Sequence, residues 1–131
     1  GPKNLLRRDA IESLAIAAGA AGAEHGVTVL LTVPATMLAP VAALDAGVVV
    51  VAQGMGLEGL GPSMDVVTAE ALADAGASAV MLDHDARRLS PDDLAAAIAR
   101  AHDLGLQTVV CADDDAAAVR AVELGADVVL H

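Results

Sequence analysis

The chain predicts an α/β protein built on a parallel sheet, and three observations carry that reading. Short apolar, β-branched runs alternate strictly with helical patterns from one end of the sequence to the other. The runs are hydrophobic nearly throughout rather than at every second position, which marks strands covered on both faces. Strand starts recur every twenty to thirty residues, the repeat of right-handed βαβ units. A (β/α)8 barrel, which typically runs to about 250 residues, and an open doubly-wound sheet of five strands both fit this alternation.

In order along the chain, Ile11 to His25 places Ile11, Leu14, Ala15 and Ala18 on one helical face, with Asp9 at the position of an N-cap and Gly26 at the stop. Val27 to Pro34 reads as a strand and Ala35 to Leu44 as a short helix. After the turn Asp45-Ala46-Gly47, Val48 to Gln53 is a second strand. Gly54 to Asp65 is rich in glycine, too irregular for an element and long for a βα connection, the kind of loop that carries function. Thr68 to Ala75 is a helix and Ser78 to Leu82 a strand that runs into a polar turn bearing Asp83, His84, Asp85, Arg87 and Arg88. Ser90 caps a helix from Pro91 to Leu104, with proline at the first helical position and Gly105 closing it. Gln107 to Ala112 is a strand, Asp113 to Leu124 a helix, and Ala126 to Leu130 a strand before His131.

At 131 residues the chain is the size of one domain, and residues 1–131 are read as a single (β/α) unit. Hydrophobic residues make up 56% of it with no Phe, Tyr or Trp, so the core must be packed from aliphatic side chains and base stacking is not available. Seven basic residues against eighteen acidic ones give a net charge of −11, which repels phosphate backbones and anionic membranes. A single cysteine, Cys111, excludes an internal disulfide and a thiolate cluster, and fits a reducing, cytoplasmic setting. No apolar run approaches the roughly 18 residues that suggest a membrane span, and the N-terminus lacks the pattern of a secretory signal.

In a parallel α/β protein the turns after the strands' C-terminal ends usually carry the chemistry, so His84 is the first residue to weigh. A lone histidine in a polar loop is more often a solvated group. Asp83, His84 and Asp85 have ligand chemistry, but adjacent positions rarely converge on one ion, so solvated or ion-paired carboxylates are expected and no metal. Arg87 and Arg88 suit an anion or the neighbouring carboxylates equally. Asp113, Asp114 and Asp115 read as acids complementing a helix N-terminus, His25 and His102 as groups at helix C-termini. Cys111 reads as a small buried hydrophobe and the methionines as core or loop packing.

Taken together, AQGMG after one strand, ALADAGASAVMLDHDARRLS across the next, AHDLGLQTVVCADD at the third and LGADVVLH at the end resemble the triosephosphate isomerases of the archaeal and related bacterial type. Those enzymes carry, in the same order, an AQ at a strand end, an AGA before a strand ending in H-S-E-R-R or H-A-E-R, a GL-x-T-V-V-C strand, and a strand ending in E-P. The likeness runs from about Val27 to His131.

The resemblance implies an incomplete barrel of about five to six βα units, comparable with the first six strands of that fold. It implies aldose–ketose isomerisation of a small sugar phosphate through an enediolate, with no cofactor. Residue by residue it puts His84 on the family's electrophilic histidine, Arg87 on the arginine that follows, Gln53 on the glutamine at the preceding strand end, and Lys3 on the lysine at the end of the first strand. The family's histidine is neutral because a helix N-terminus lowers its pKa, and the helix beginning at Pro91 is the candidate source of such a dipole here. The family's N-x-K reads Gly1-Pro2-Lys3, and Gly1-Pro2 is also what a cleaved tag leaves behind; both origins stay open.

Two departures stand out. Ala86 replaces the motif's glutamate, and the glutamate base of the E-P motif would fall one residue beyond His131. The last strands with their phosphate-binding loops are also outside this span, so the chain alone is not expected to isomerise as a monomer. A non-catalytic relative serving as a binding or assembly scaffold, or an engineered fragment, is the alternative. All of these readings leave two open sheet edges and an apolar face, and so predict homo-oligomers.

Overall fold

A computed structural model describes residues 1–131. Five strands form one sheet: β1 (Leu30–Val33), β2 (Val49–Ala52), β3 (Ala79–Leu82), β4 (Gln107–Cys111) and β5 (Val128–Leu130). Five helices alternate with them: α1 (Arg8–His25), α2 (Ala35–Ala43), α3 (Ala69–Asp74), α4 (Pro91–Asp103) and α5 (Asp115–Glu123). The strands lie in the order β1-β2-β3-β4-β5 and every pair is parallel. That order decides between the two architectures the alternation allowed. A doubly-wound sheet reverses its strand order at a switch point; this sheet grows in one direction, as a barrel wall does.

Side-chain alternation along the strands separates two faces. Val50 and Ala52 of β2 and Val80 and Leu82 of β3 join a core of 21 buried residues to which all five helices contribute, so every helix lies on that one side. Val51, Ala79 and Val109, flanked by Val49 and Met81, make a separate small cluster on the other, concave side, which no helix covers. On the concave face of the edge strands Leu30, Val128 and Leu130 are left exposed. No helix is long and apolar enough to cross a membrane.

A core without aromatic rings is closed by small residues. Ala15, Ala69, Ala97, Ala101 and Ala121 are all fully buried on the helices' inner faces. Gly19 of α1 comes so close to the loop before β2 that a Cβ on it would collide with the Ala46 carbonyl oxygen. Larger side chains fill what remains: Leu38, Leu72 and Ile98 are each shut off from solvent, a burial that contributes about 1.5–3 kcal/mol apiece.

Helix ends follow the sequence signals with two corrections, one at α1 and one at α5, which starts at Asp115 rather than Asp113. Thr68, Ser90 and Asp114 accept backbone N–H bonds from Ala71, Asp93 and Ala117, and Gly26 and Gly105 end α1 and α4 in the left-handed region. Asp9, expected as a cap, lies inside the first turn of α1. The helix starts earlier, at Arg8, which pairs with Glu12 one turn on, and Ser13 Oγ donates to the Asp9 carbonyl instead. Residues before α1 form turns, not a strand, so Lys3 does not sit at a strand end.

Candidate functional site

Two large concavities occupy opposite ends of the sheet. The one at the strands' N-terminal ends, about 700 Å³, lies between α1 and the turn before β2. Its wall is mostly glycine, alanine and aliphatic side chains, with Asp45 as its single titratable group. It offers little for chemistry.

The second, about 740 Å³, opens at the C-terminal ends of β1, β2 and β3. Lys3, Gln53, His84 and Arg87, which come from three separate segments of the sequence, all line it, together with Asn4, Thr32, Met81 and Leu130. Sequence reasoning did not single out Asn4 or Thr32. Asn4 Oδ1 accepts from Gln53 Nε2 at 3.3 Å, which ties the N-terminal turn to the end of β2. Thr32 is 9% exposed on β1 and faces the cavity by strand alternation. Neither belongs to a motif; only the topology brings them here.

Charge sets this wall apart from the rest of the molecule. None of the chain's eighteen acidic residues lines it, whereas Lys3 and Arg87 do, and neither forms an ion pair. In a protein of net charge −11 this is a locally positive concavity. Lys3 holds a backbone φ of 51°, a region that side chains other than Asn, Asp and Gly seldom occupy and that clusters at functional positions.

His84 is fixed by its own turn. The Arg87 N–H donates to the His84 carbonyl at 2.7 Å, folding the chain back, and the Ala86 N–H donates to His84 Nδ1 at 3.1 Å. An accepting Nδ1 leaves the proton of the neutral ring on Nε2, so the imidazole presents a donor on its other edge. The helix at Pro91 makes no bond to this ring. Control of the tautomer is local, from the backbone two residues on.

The structure divides the two arginines. Arg88 turns away from the cavity and bonds the Asp83 carbonyl at 2.9 Å and the carboxylates of Asp85 and Asp113. Its hydrogen bond holds the Asp113 carboxyl below its ordinary value and raises Arg88 itself. Arg88 Nη1 also lies 3.9 Å from the Asp83 carboxylate, so both aspartates flanking His84 are ion-paired. Asp113, read as helix-dipole complement, is an arm of this clamp, while its neighbour Asp114 caps α5. Cys111 is half-buried rather than buried, at the concave end of β4, where burial pushes its thiol upward. Met37 and Met55 pack in the core as expected, but Met64 stands 94% exposed in the loop after β2.

Comparison with known proteins gives a consistent answer. A family model described as Triosephosphate isomerase matches residues 3–129. The chain is 35% identical over 108 residues to the triosephosphate isomerase of Cenarchaeum symbiosum, covering 82% of this chain and 48% of that one. It is 35% identical over 118 residues to that of Pyrobaculum arsenaticum, covering 90% of this chain and 52% of the relative. The crystal structure of the triosephosphate isomerase from Bartonella henselae superposes with a TM-score of 0.74 at 24% identity, over 92% of this chain and 57% of that one, and so speaks for the fold. The chain thus spans about half the length of the relatives it matches. On the match of its motifs, its strand order and nearly its whole length, the chain belongs to the triosephosphate isomerase family.

Proposed function

We propose that the acid-free concavity binds a small phosphorylated sugar and that His84 polarises its carbonyl during aldose–ketose isomerisation. The observation that carries this is the meeting of Lys3, Gln53, His84 and Arg87 in one concavity, with the His84 ring bonded at Nδ1 so that Nε2–H is free to donate. Isomerisation removes a proton from the carbon next to a carbonyl. The C–H electron pair becomes the C=C of an enediolate while the carbonyl π pair moves onto oxygen. A donor aimed at that oxygen is worth most when the charge forms there, typically 10²–10³-fold in rate. Triosephosphate isomerase is itself the standard worked example of a neutral imidazole acting as the electrophile, so that part of the scheme belongs to the family. Lys3 and Arg87 would favour the substrate's negative charge, and Gln53, held by its bond to Asn4, would orient it.

No carboxylate lines this wall, so the base that takes the proton, and the loops that grip phosphate, come in this reading from elsewhere in a longer chain or from a second copy. A second reading has its own observation. Ala86 stands where the family motif has glutamate, which supports a relative that binds anions and assembles without turning substrate over. Both readings put the protein in the cytoplasm as a homo-oligomer, and the exposed Leu30, Val128 and Leu130 on the edge strands support the association.

A coupled isomerisation assay with glyceraldehyde 3-phosphate, run with a His84→Gln variant and an intact-mass measurement, separates them. Turnover that falls at least about 10²-fold on His84→Gln is the expected result. Turnover that survives that change refutes the assignment of His84. A chain of 12.9 kDa that binds phosphate but turns nothing over favours the scaffold reading.

A further inference from the structure

His84 lies between two aspartates, and one guanidinium holds both. Arg88 Nη1 donates to the Asp83 carbonyl oxygen, the atom of the peptide bond that leads into His84, at 2.9 Å. Arg88 Nη2 donates to the carboxylate of Asp85, the residue that follows His84, and to that of Asp113 in the turn after β4. Asp83 has a φ of 56°, a conformation that needs outside support in a residue other than glycine, and its Oδ1 accepts from the Leu89 N–H at 2.9 Å. The His84 ring itself makes a single hydrogen bond, from the Ala86 N–H at 3.1 Å. That bond exists only while the backbone from Asp83 to Ala86 keeps its path.

We infer that Arg88 is a positioning residue: by gripping both neighbours of His84 and anchoring them to the adjacent turn, it fixes which ring nitrogen carries the proton and where that nitrogen points. The inference rests on the reading of His84 as the carbonyl-polarising group. A planar fork suits this task, because it reaches a carbonyl and two carboxylates at once while cancelling charge that would otherwise drive Asp83, Asp85 and Asp113 apart. Lysine supplies the charge without the fork. Arg87, one residue earlier, is free of these bonds and faces the cavity, so the two arginines divide their tasks: one addresses the ligand, the other the histidine.

The test is the nitrogen NMR signature of the His84 ring in the 131-residue chain, at a pH above the ordinary histidine range, with His84 assigned by loss of its signals in His84→Gln. The unmodified chain is expected to show an unprotonated Nδ1 and a protonated Nε2. In Arg88→Ala the two shifts should move toward one another as tautomers mix, with far-ultraviolet circular dichroism unchanged, and Arg88→Lys should not restore them. Unmoved shifts in a folded Arg88→Ala chain, or full restoration by lysine, overturn the inference. If Arg88→Ala does not fold, Asp113→Ala decides: it removes the anchor to the next turn alone, so a shift in the same direction supports the inference and its absence overturns it. The measurement needs no turnover. A chain that isomerises nothing yet shows the expected shifts would sink the reading of His84 while leaving the role of Arg88 standing.

Discussion

Replacing Asp127 by alanine tests how the last strand is fastened. Asp127 Oδ2 accepts from the Thr108 N–H at 2.7 Å and from Thr108 Oγ1 at 3.0 Å, and lies 2.9 Å from His102 Nε2. Thr108 is fully buried and Asp127 is exposed, so the truncation removes the charged acceptor of the Thr108 N–H and opens that position to water. Losing hydrogen bonds to a charged acceptor costs about 1–3 kcal/mol, which for a chain of this size lowers Tm by roughly 3–15 °C. Asparagine keeps an acceptor oxygen and should lose less than half as much.

The dependence on pH has a definite sign. Burial pushes the Asp127 carboxyl upward, but the hydrogen bonds from His102 and Thr108 together outweigh it and hold the group below its ordinary value. A depressed carboxyl stabilises above its unfolded pKa of about 3.9 and loses that contribution as pH falls through the folded value. Melting curves followed by circular dichroism should therefore show the unmodified and Asp127→Asn chains apart near neutrality and converging below about pH 4. An alanine variant that melts with the unmodified chain at neutral pH would refute this, as would an asparagine gap that pH leaves unchanged. The result bears on the site too, since β5 ends at Leu130 in the cavity wall.

Gly19→Ala drives a Cβ into the Ala46 carbonyl oxygen, which forces α1 off the loop before β2, and urea unfolding should register a loss of about 1–3 kcal/mol. Ile98→Ala empties a fully enclosed position between α4 and the sheet and should cost about 2–5 kcal/mol in the same assay; a cost below about 1 kcal/mol would mean that the core closes over the gap. A carboxyl titration by NMR should find Asp113 below the ordinary aspartate range, returning to it in Arg88→Ala, and an Asp113 that titrates normally in the unmodified chain would show that the pair is absent in solution.

Strands and helices were legible because apolar runs and capping are local properties, although the edge strands β1 and β5 leave Leu30, Val128 and Leu130 exposed rather than covered on both faces. Ser90 before Pro91 marked a helix start to the residue. Strand order was not legible from alternation, because one βαβ unit looks the same whether its successors wind one way or reverse; the motif resemblance, not periodicity, favoured the barrel. The start of α1 was misplaced because a cap rule favours Asp9, whereas the Arg8–Glu12 pair supports an earlier turn. At the site, the residue types were readable but not their division of labour. Arg87 and Arg88 are adjacent and chemically alike, and only the path of the turn sends one to the cavity and the other to Asp113. Of the N-terminal residues that line the concavity, Lys3 was singled out by the resemblance alone, while Asn4 emerges only from its contact with Gln53.

The simple strand order has a consequence for how the protein is made. Each strand pairs with the one synthesised just before it, on the order of twenty to thirty residues earlier, so no pairing waits for a distant part of the chain and the entropy of loop closure stays low. The sheet can be laid down strand by strand as the chain leaves the ribosome. At every stage the newest strand is the exposed edge, the template on which the next one docks.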